Sequence, residues 1–97
     1  FRTFELAREF HDRSRRLRLD RYIRDQFQRA ALSIALNLAE GRGKRTTRDQ
    51  VKFFQIALGS ARECQAILEL VETGDEELVA LLDRLAGSIY LLIERAR

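Results

Sequence analysis

Residues 20–41 read DRYIRDQFQRAALSIALNLAEG, and this stretch decides the fold. Its apolar residues Ile23, Phe27, Ala30, Ala31, Ile34 and Leu38 recur every three or four positions. At about 100° per residue they fall in a band roughly 100° wide, the stripe of a helix packed on a core. Asp20 is placed to N-cap this helix, predicted over 21–40. Gln26, Arg29, Ser33, Asn37 and Glu40 form a polar stripe beside the apolar one. Leu32 and Leu36 fall on the opposite side, where a lone molecule would show them to water. A helix apolar on two sides has two things to pack against, so Leu32 and Leu36 are predicted to form an oligomer interface.

Outward from this helix the same periodicity continues. Gly41 follows the run and reads as a C-cap, because glycine accepts φ > 0 without steric cost. Thr47-Arg48-Asp49-Gln50 matches a capping box for a third helix, predicted over 48–72, with Phe53, Phe54, Ala57, Ala61, Cys64, Leu68 and Val71 inward. Thr73-Gly74-Asp75 makes a tight connection, and Asp75 caps a fourth helix over 76–96. There Leu78, Leu81, Leu82, Leu85, Ile89, Leu92 and Ile93 form a bundle seam. Before residue 20, Phe4, Ala7, Phe10 or His11, Ser14 and Leu17 mark a first helix over 3–17. Short connections make neighbouring helices antiparallel. The expected architecture is an all-α, up-down-up-down four-helix bundle occupying residues 1–97 as one domain.

Composition agrees. Hydrophobic residues make up 45% of the 97 and charged residues 34%, which excludes the thin composition of a disordered chain. With no proline and five glycines, a turn-rich β-sandwich is disfavoured. No apolar run approaches the roughly 18–20 residues of a membrane span. The lone Cys64 has no internal disulfide partner, which suits a reducing, cytoplasmic setting. The chain begins at Phe1 and lacks methionine, so a preceding segment is left open.

Catalytic groups are sparse. His11 is the one histidine and reads as a boundary residue; Cys64 reads as a small buried hydrophobe. One histidine and one cysteine do not supply a zinc site, so no metal, cofactor or enzymatic activity is expected. Gly41-Arg42-Gly43-Lys44 lacks the spacing of a nucleotide-binding phosphate loop. What remains is charge. The net charge is +3, yet residues 1–48 carry 13 Lys or Arg against 6 Asp or Glu, while residues 49–97 carry 5 against 9. Such an imbalance either guides helix assembly or presents a cationic face to phosphates. Arg13, Arg15, Arg16, Arg42, Lys44, Arg45 and Arg48 are the candidate phosphate contacts. The competing reading is a solvated helix end and a soluble loop. No aromatic residue interrupts 41–48, so contact would be to backbone phosphate with little sequence preference. In the polar stripe, Arg29 is expected to pair with Glu63, and Asn37 to bridge between helices.

Gln26 to Gly41 resembles the Q-x-x-R-A-A-x-S-I-x-x-N-I-A-E-G signature of a bacterial four-helix-bundle family. Residues 53–63, FFQIALGSARE, resemble its second block, F-x-x-I-A-x-G-S-x-x-E. The family includes proteins encoded in intervening sequences of large-subunit ribosomal RNA genes, once labelled S23, and the accessory variability determinant of diversity-generating retroelements. The resemblance implies a ring-like homopentamer. For the retroelement relative it implies a basic surface that binds nucleic acid and a reverse transcriptase. It offers no catalytic residues. The stretch 17–22 is shorter than in typical members and free of proline. The leading expectation is a non-enzymatic homo-oligomer that binds RNA or DNA backbone. The rival is a scaffold for another protein, with basic residues that only solubilise it.

Overall fold

The periodic stretch around Phe27 does fold as one long helix. In the computed structural model, which describes residues 1–97, it is α2, Arg21–Arg42; α1 spans Arg2–Ser14, α3 Thr47–Leu70 and α4 Glu76–Ala96. Each helix packs against its neighbours in chain order, and α1 closes onto α4, while diagonal pairs make no close approach. That is the up-down-up-down bundle, 40 Å long and about half as wide. All the core positions expected on α2 are buried except Ile23, which is half-buried. The interior is one cluster of 20 hydrophobic residues, in which the Phe10 and Phe27 rings meet edge to face at 5.8 Å.

The departures are local and physical. α1 ends at Ser14, whose hydroxyl donates to the His11 carbonyl, so Arg15 and Arg16 belong to the connection. Its inward face is Thr3, Leu6, Ala7, Phe10 and Ser14; Phe4 is half-buried and stacks on Phe1. Asp20 precedes α2 but makes no side-chain cap, whereas Asp75 accepts from the Leu78 amide at 3.0 Å as expected. The cap of α3 is displaced by one residue: Thr46, not Thr47, accepts from the Asp49 amide, and Gln50 donates to the Lys44 carbonyl. Gly41 is no C-cap. It lies inside α2, buried, and no glycine in the chain has positive φ.

The left-handed residue is Glu72, with φ of 51°. The Thr73 amide donates to the Leu68 carbonyl and the Glu72 amide to that of Glu69, so α3 closes in a Schellman motif. A residue with a Cβ is strained there by about 1–2 kcal/mol. Glu72→Gly is therefore expected to raise stability by about 1 kcal/mol in urea denaturation, less some entropy of the unfolded glycine. A loss of stability would contradict this account of the turn.

Candidate nucleic-acid interface

Antiparallel topology sorts the candidate cations into two groups. Arg13, Arg15 and Arg16 lie at one end of the 40 Å body, beside the α3–α4 connection. Arg42, Lys44, Arg45 and Arg48 lie at the other, where α2 ends and α3 begins. The seven candidate contacts thus form two clusters. The first is matched by acids: Arg13 donates to Glu77 at 2.9 Å, and Glu69, Glu72, Asp75 and Glu76 belong to the same end. There the Arg13–Glu77 pair joins the basic half of the sequence to the acidic half.

The second cluster is poorly neutralised. Lys44 is 3.4 Å from Glu40 and lies 4.9 Å from the centre of the Phe53 ring. Arg42 lies 4.7 Å over the ring of Phe1. Both cations are held on aromatic faces, which leaves them charged and restricts their motion. Arg45 and Arg48 are exposed and form no ion pair. Thr46, Thr47, Arg48, Lys52, Gln55 and Arg97 border an open groove of about 900 Å³ at this end, which also contains Asp49. Lys52 and Arg97 are additions to the expected set. Lys52 was within reach of sequence reasoning, since it falls one helical turn after Arg48. Arg97 comes here only because α4 runs back to this end. The amides that open α3 add the positive pole of its dipole. Chemically the cations and helix-opening amides of this end suit anionic oxygens.

The polar stripe of α2 is in place but bonded differently from expectation. Ser33 and Ser60 hydroxyls meet at 2.8 Å across α2 and α3. Asn37 donates to the Ser33 carbonyl at 2.9 Å and to its hydroxyl at 3.1 Å, so the bridge between helices is made by Ser33. Glu63 accepts from Gln26. The expected Arg29–Glu63 pair is not formed: Arg29 is exposed, with no ion-pair partner. The reason is angular. Gln26 shares the α3-facing side of α2 with Ser33, whereas Arg29 turns outward beside Leu32 and Leu36, where water solvates it.

Leu32 and Leu36 are 45% and 57% exposed, and Ile56 of α3 adds a third exposed apolar side chain. Cys64 is buried, and its thiol is pushed up to about 12 by burial and by the nearby Glu63 charge, which leaves it unreactive at neutral pH. No three His, Cys, Asp or Glu side chains gather where they would hold a metal ion, and no helix is long and apolar enough to cross a membrane.

These features define a small helical bundle with one poorly neutralised cationic end and an exposed apolar helix face. The chain belongs to the 23S rRNA-intervening sequence protein family, whose model matches residues 2–75 and so takes in α1, α2, α3 and their connections. No curated protein and no solved structure gives a significant match.

Proposed function

We propose that this protein is a non-enzymatic, self-associating, cytoplasmic bundle that holds the backbone of RNA or DNA against the basic end formed by Arg42, Lys44, Arg45 and Arg48, with Lys52 beside them. The observation that carries the reading is the charge at that end. Four cations stand within seven residues, Arg45 and Arg48 have no acidic partner, and the only ion pair spends Glu40 on Lys44. The family's description names 23S rRNA, which makes RNA the first ligand to test. Arg13 is left out of the contact because it is paired with Glu77, and Arg15 and Arg16 are left out because they share an end of the bundle with Glu69, Glu72, Asp75 and Glu76. Self-association, as the ring-like homopentamer that the resemblance implies, rests on the exposed Leu32 and Leu36. It repeats the basic end in each copy, so a long polyanion meets several weak sites at once.

Filter binding with a duplex RNA at two salt concentrations tests this. Four phosphate contacts imply that affinity falls about a hundredfold between roughly 50 and 200 mM salt. Failure to bind RNA or DNA at the lower concentration would end the nucleic acid reading. The scaffold for a protein partner, such as a reverse transcriptase, would then take its place.

A further inference from the structure

A ring built from identical copies needs two different faces that fit each other, because each copy meets one neighbour with one face and the next neighbour with another. The exposed Leu32–Leu36 ridge of α2 supplies one of them. We infer that its counterpart is the outer face of α4, where Gly87, Leu91 and Asp83 of a second copy receive Leu32, Leu36 and Arg29. This rests on the reading that the protein self-associates, and it goes further by assigning both sides of the joint.

Three features of the structure support it. The first is height along the bundle. Ser33 meets Ser60 between α2 and α3, and Gln65 donates to Asp83 between α3 and α4. Counting along antiparallel helices from these contacts brings Leu32 level with Gly87 and Leu36 level with Leu91. Helices α2 and α4 run in the same direction, so copies standing side by side without an axial shift place these residues together.

The second feature is shape. Leu36 and Leu91 are 57% and 48% exposed and belong to no contact within the chain's core. Gly87 is exposed, and a Cβ built there meets nothing within 4 Å, so the α4 surface has an open notch between the turns of Asp83 and Leu91. A leucine knob at the same height fits such a gap.

The third is charge. Arg29 lies on the flank of α2 that leans toward α3, and Asp83 lies on the flank of α4 that leans toward α3, as its bond to Gln65 shows. When α2 of one copy faces α4 of the next, these two flanks coincide. Arg29, exposed and without an ion-pair partner in its own chain, thereby meets a carboxylate. On the same flank Glu94 comes opposite Glu40, whose charge Lys44 already offsets at 3.4 Å.

Cysteine cross-linking tests the joint. Within one chain the outer faces of α2 and α4 lie on opposite sides of a bundle 22 by 19 Å in cross-section. A disulfide needs Cα atoms within about 7 Å, so an internal bond between these faces is impossible. Cys64 stays out of the exchange, because it is buried and its thiol is held at about 12. Leu36→Cys with Leu91→Cys, mildly oxidised, is expected to give a ladder of covalent multimers on a non-reducing gel, while each single variant stays monomeric. A dimer from Leu36→Cys alone would mean that α2 meets α2, and would overturn the assignment. Absence of any ladder while the parent protein sediments as an oligomer would also overturn it, yet leave self-association standing. A parent protein that sediments as a monomer would remove both. Arg29→Asp and Asp83→Arg extend the test: each alone is expected to lower oligomer mass at moderate salt, and the pair to restore it. Failure of the pair to restore assembly after both singles disrupt it would count against the charge match.

Discussion

Replacing Arg42, Lys44, Arg45 and Arg48 together with glutamine is expected to cost the protein more than a hundredfold in affinity for duplex RNA and DNA near physiological salt. Each cation that neutralises a phosphate releases about 0.9 counterion from a duplex, so the slope of log affinity on log salt is expected to flatten by roughly 3–4. The fold is expected to survive. Arg45 and Arg48 have no partner to lose, and Arg42 and Lys44 give up contacts with Phe1, Phe53 and Glu40. Contacts of this kind at a surface contribute about 0.5–1 kcal/mol each. Circular dichroism and sedimentation should therefore match the parent, which separates lost binding from lost structure. Arg15→Gln with Arg16→Gln is the matched control. It removes two exposed cations from the opposite end, the end that also carries Glu69, Glu72, Asp75, Glu76 and Glu77, and is expected to leave affinity within about twofold, in line with screening over a Debye length near 10 Å. Equal losses in both variants would show that net charge, rather than the α2–α3 end, governs binding.

That the six arginines and one lysine form two clusters was contained in the sequence, though not in its local charge pattern. They are separated by α2, and a helix of 22 residues is about 33 Å long. Two basic runs on either side of such a helix must lie at opposite ends of a bundle. Counting charge along the chain grouped them; following the chain in space divides them. The core was legible for a related reason. Burial on α2 depends on angle around one helix, which spacing alone determines, so Phe27, Ala30, Ala31, Ile34 and Leu38 are all buried as expected.

Features that depend on a second helix were harder to read. Gln26 and Arg29 both belong to the polar stripe, and only the direction of α3 decides that Gln26 reaches Glu63. The cap of α3 slipped by one because Thr46 and Thr47 are chemically alike and the acceptor is chosen by where the chain leaves Lys44. At the end of α3 the left-handed residue is not the glycine of the Thr73-Gly74-Asp75 connection. Gly74 has no positive φ, and Glu72 takes the strained position because the hydrogen bonds to Leu68 and Glu69 fix the turn two residues earlier.

Gly41 is the case in which the right residue was noticed for the wrong reason, and it leads to the largest expected change in stability. Its φ is ordinary, so the conformational freedom of glycine is not in use. Space is what matters. A Cβ at this position would lie 2.7 Å from Phe54 Cε1, 2.8 Å from Phe54 Cδ1 and 3.2 Å from the Gln50 carbonyl oxygen. The α2 backbone thus rests against the buried Phe54 ring, close to the turn that carries Arg42, Lys44 and Arg45. Gly41→Ala gains helix propensity of about 1 kcal/mol but forces the ring or the helix aside, and overpacking a core costs about 1–3 kcal/mol. The ring is 6% exposed and has little room to yield, so the clash is expected to win, with a net loss of about 1–2 kcal/mol. Gly41→Leu, which adds three more carbons to the same gap, is expected to lose about 3 kcal/mol or more and to lower the midpoint of thermal unfolding by well over 10 °C. Gly59→Ala provides the contrast. It is the same substitution in a helix interior, with nothing within 4 Å of the new Cβ, and is expected to stabilise by about 0.5–1 kcal/mol. Combining Gly41→Ala with Phe54→Leu should cost less than the two changes added separately, because the smaller side chain vacates the space that the methyl needs. Denaturant titration of the parent, the four single variants and the double variant decides the matter. If Gly41→Ala stabilises as much as Gly59→Ala, the close approach of α2 to Phe54 is not what keeps a glycine at this position.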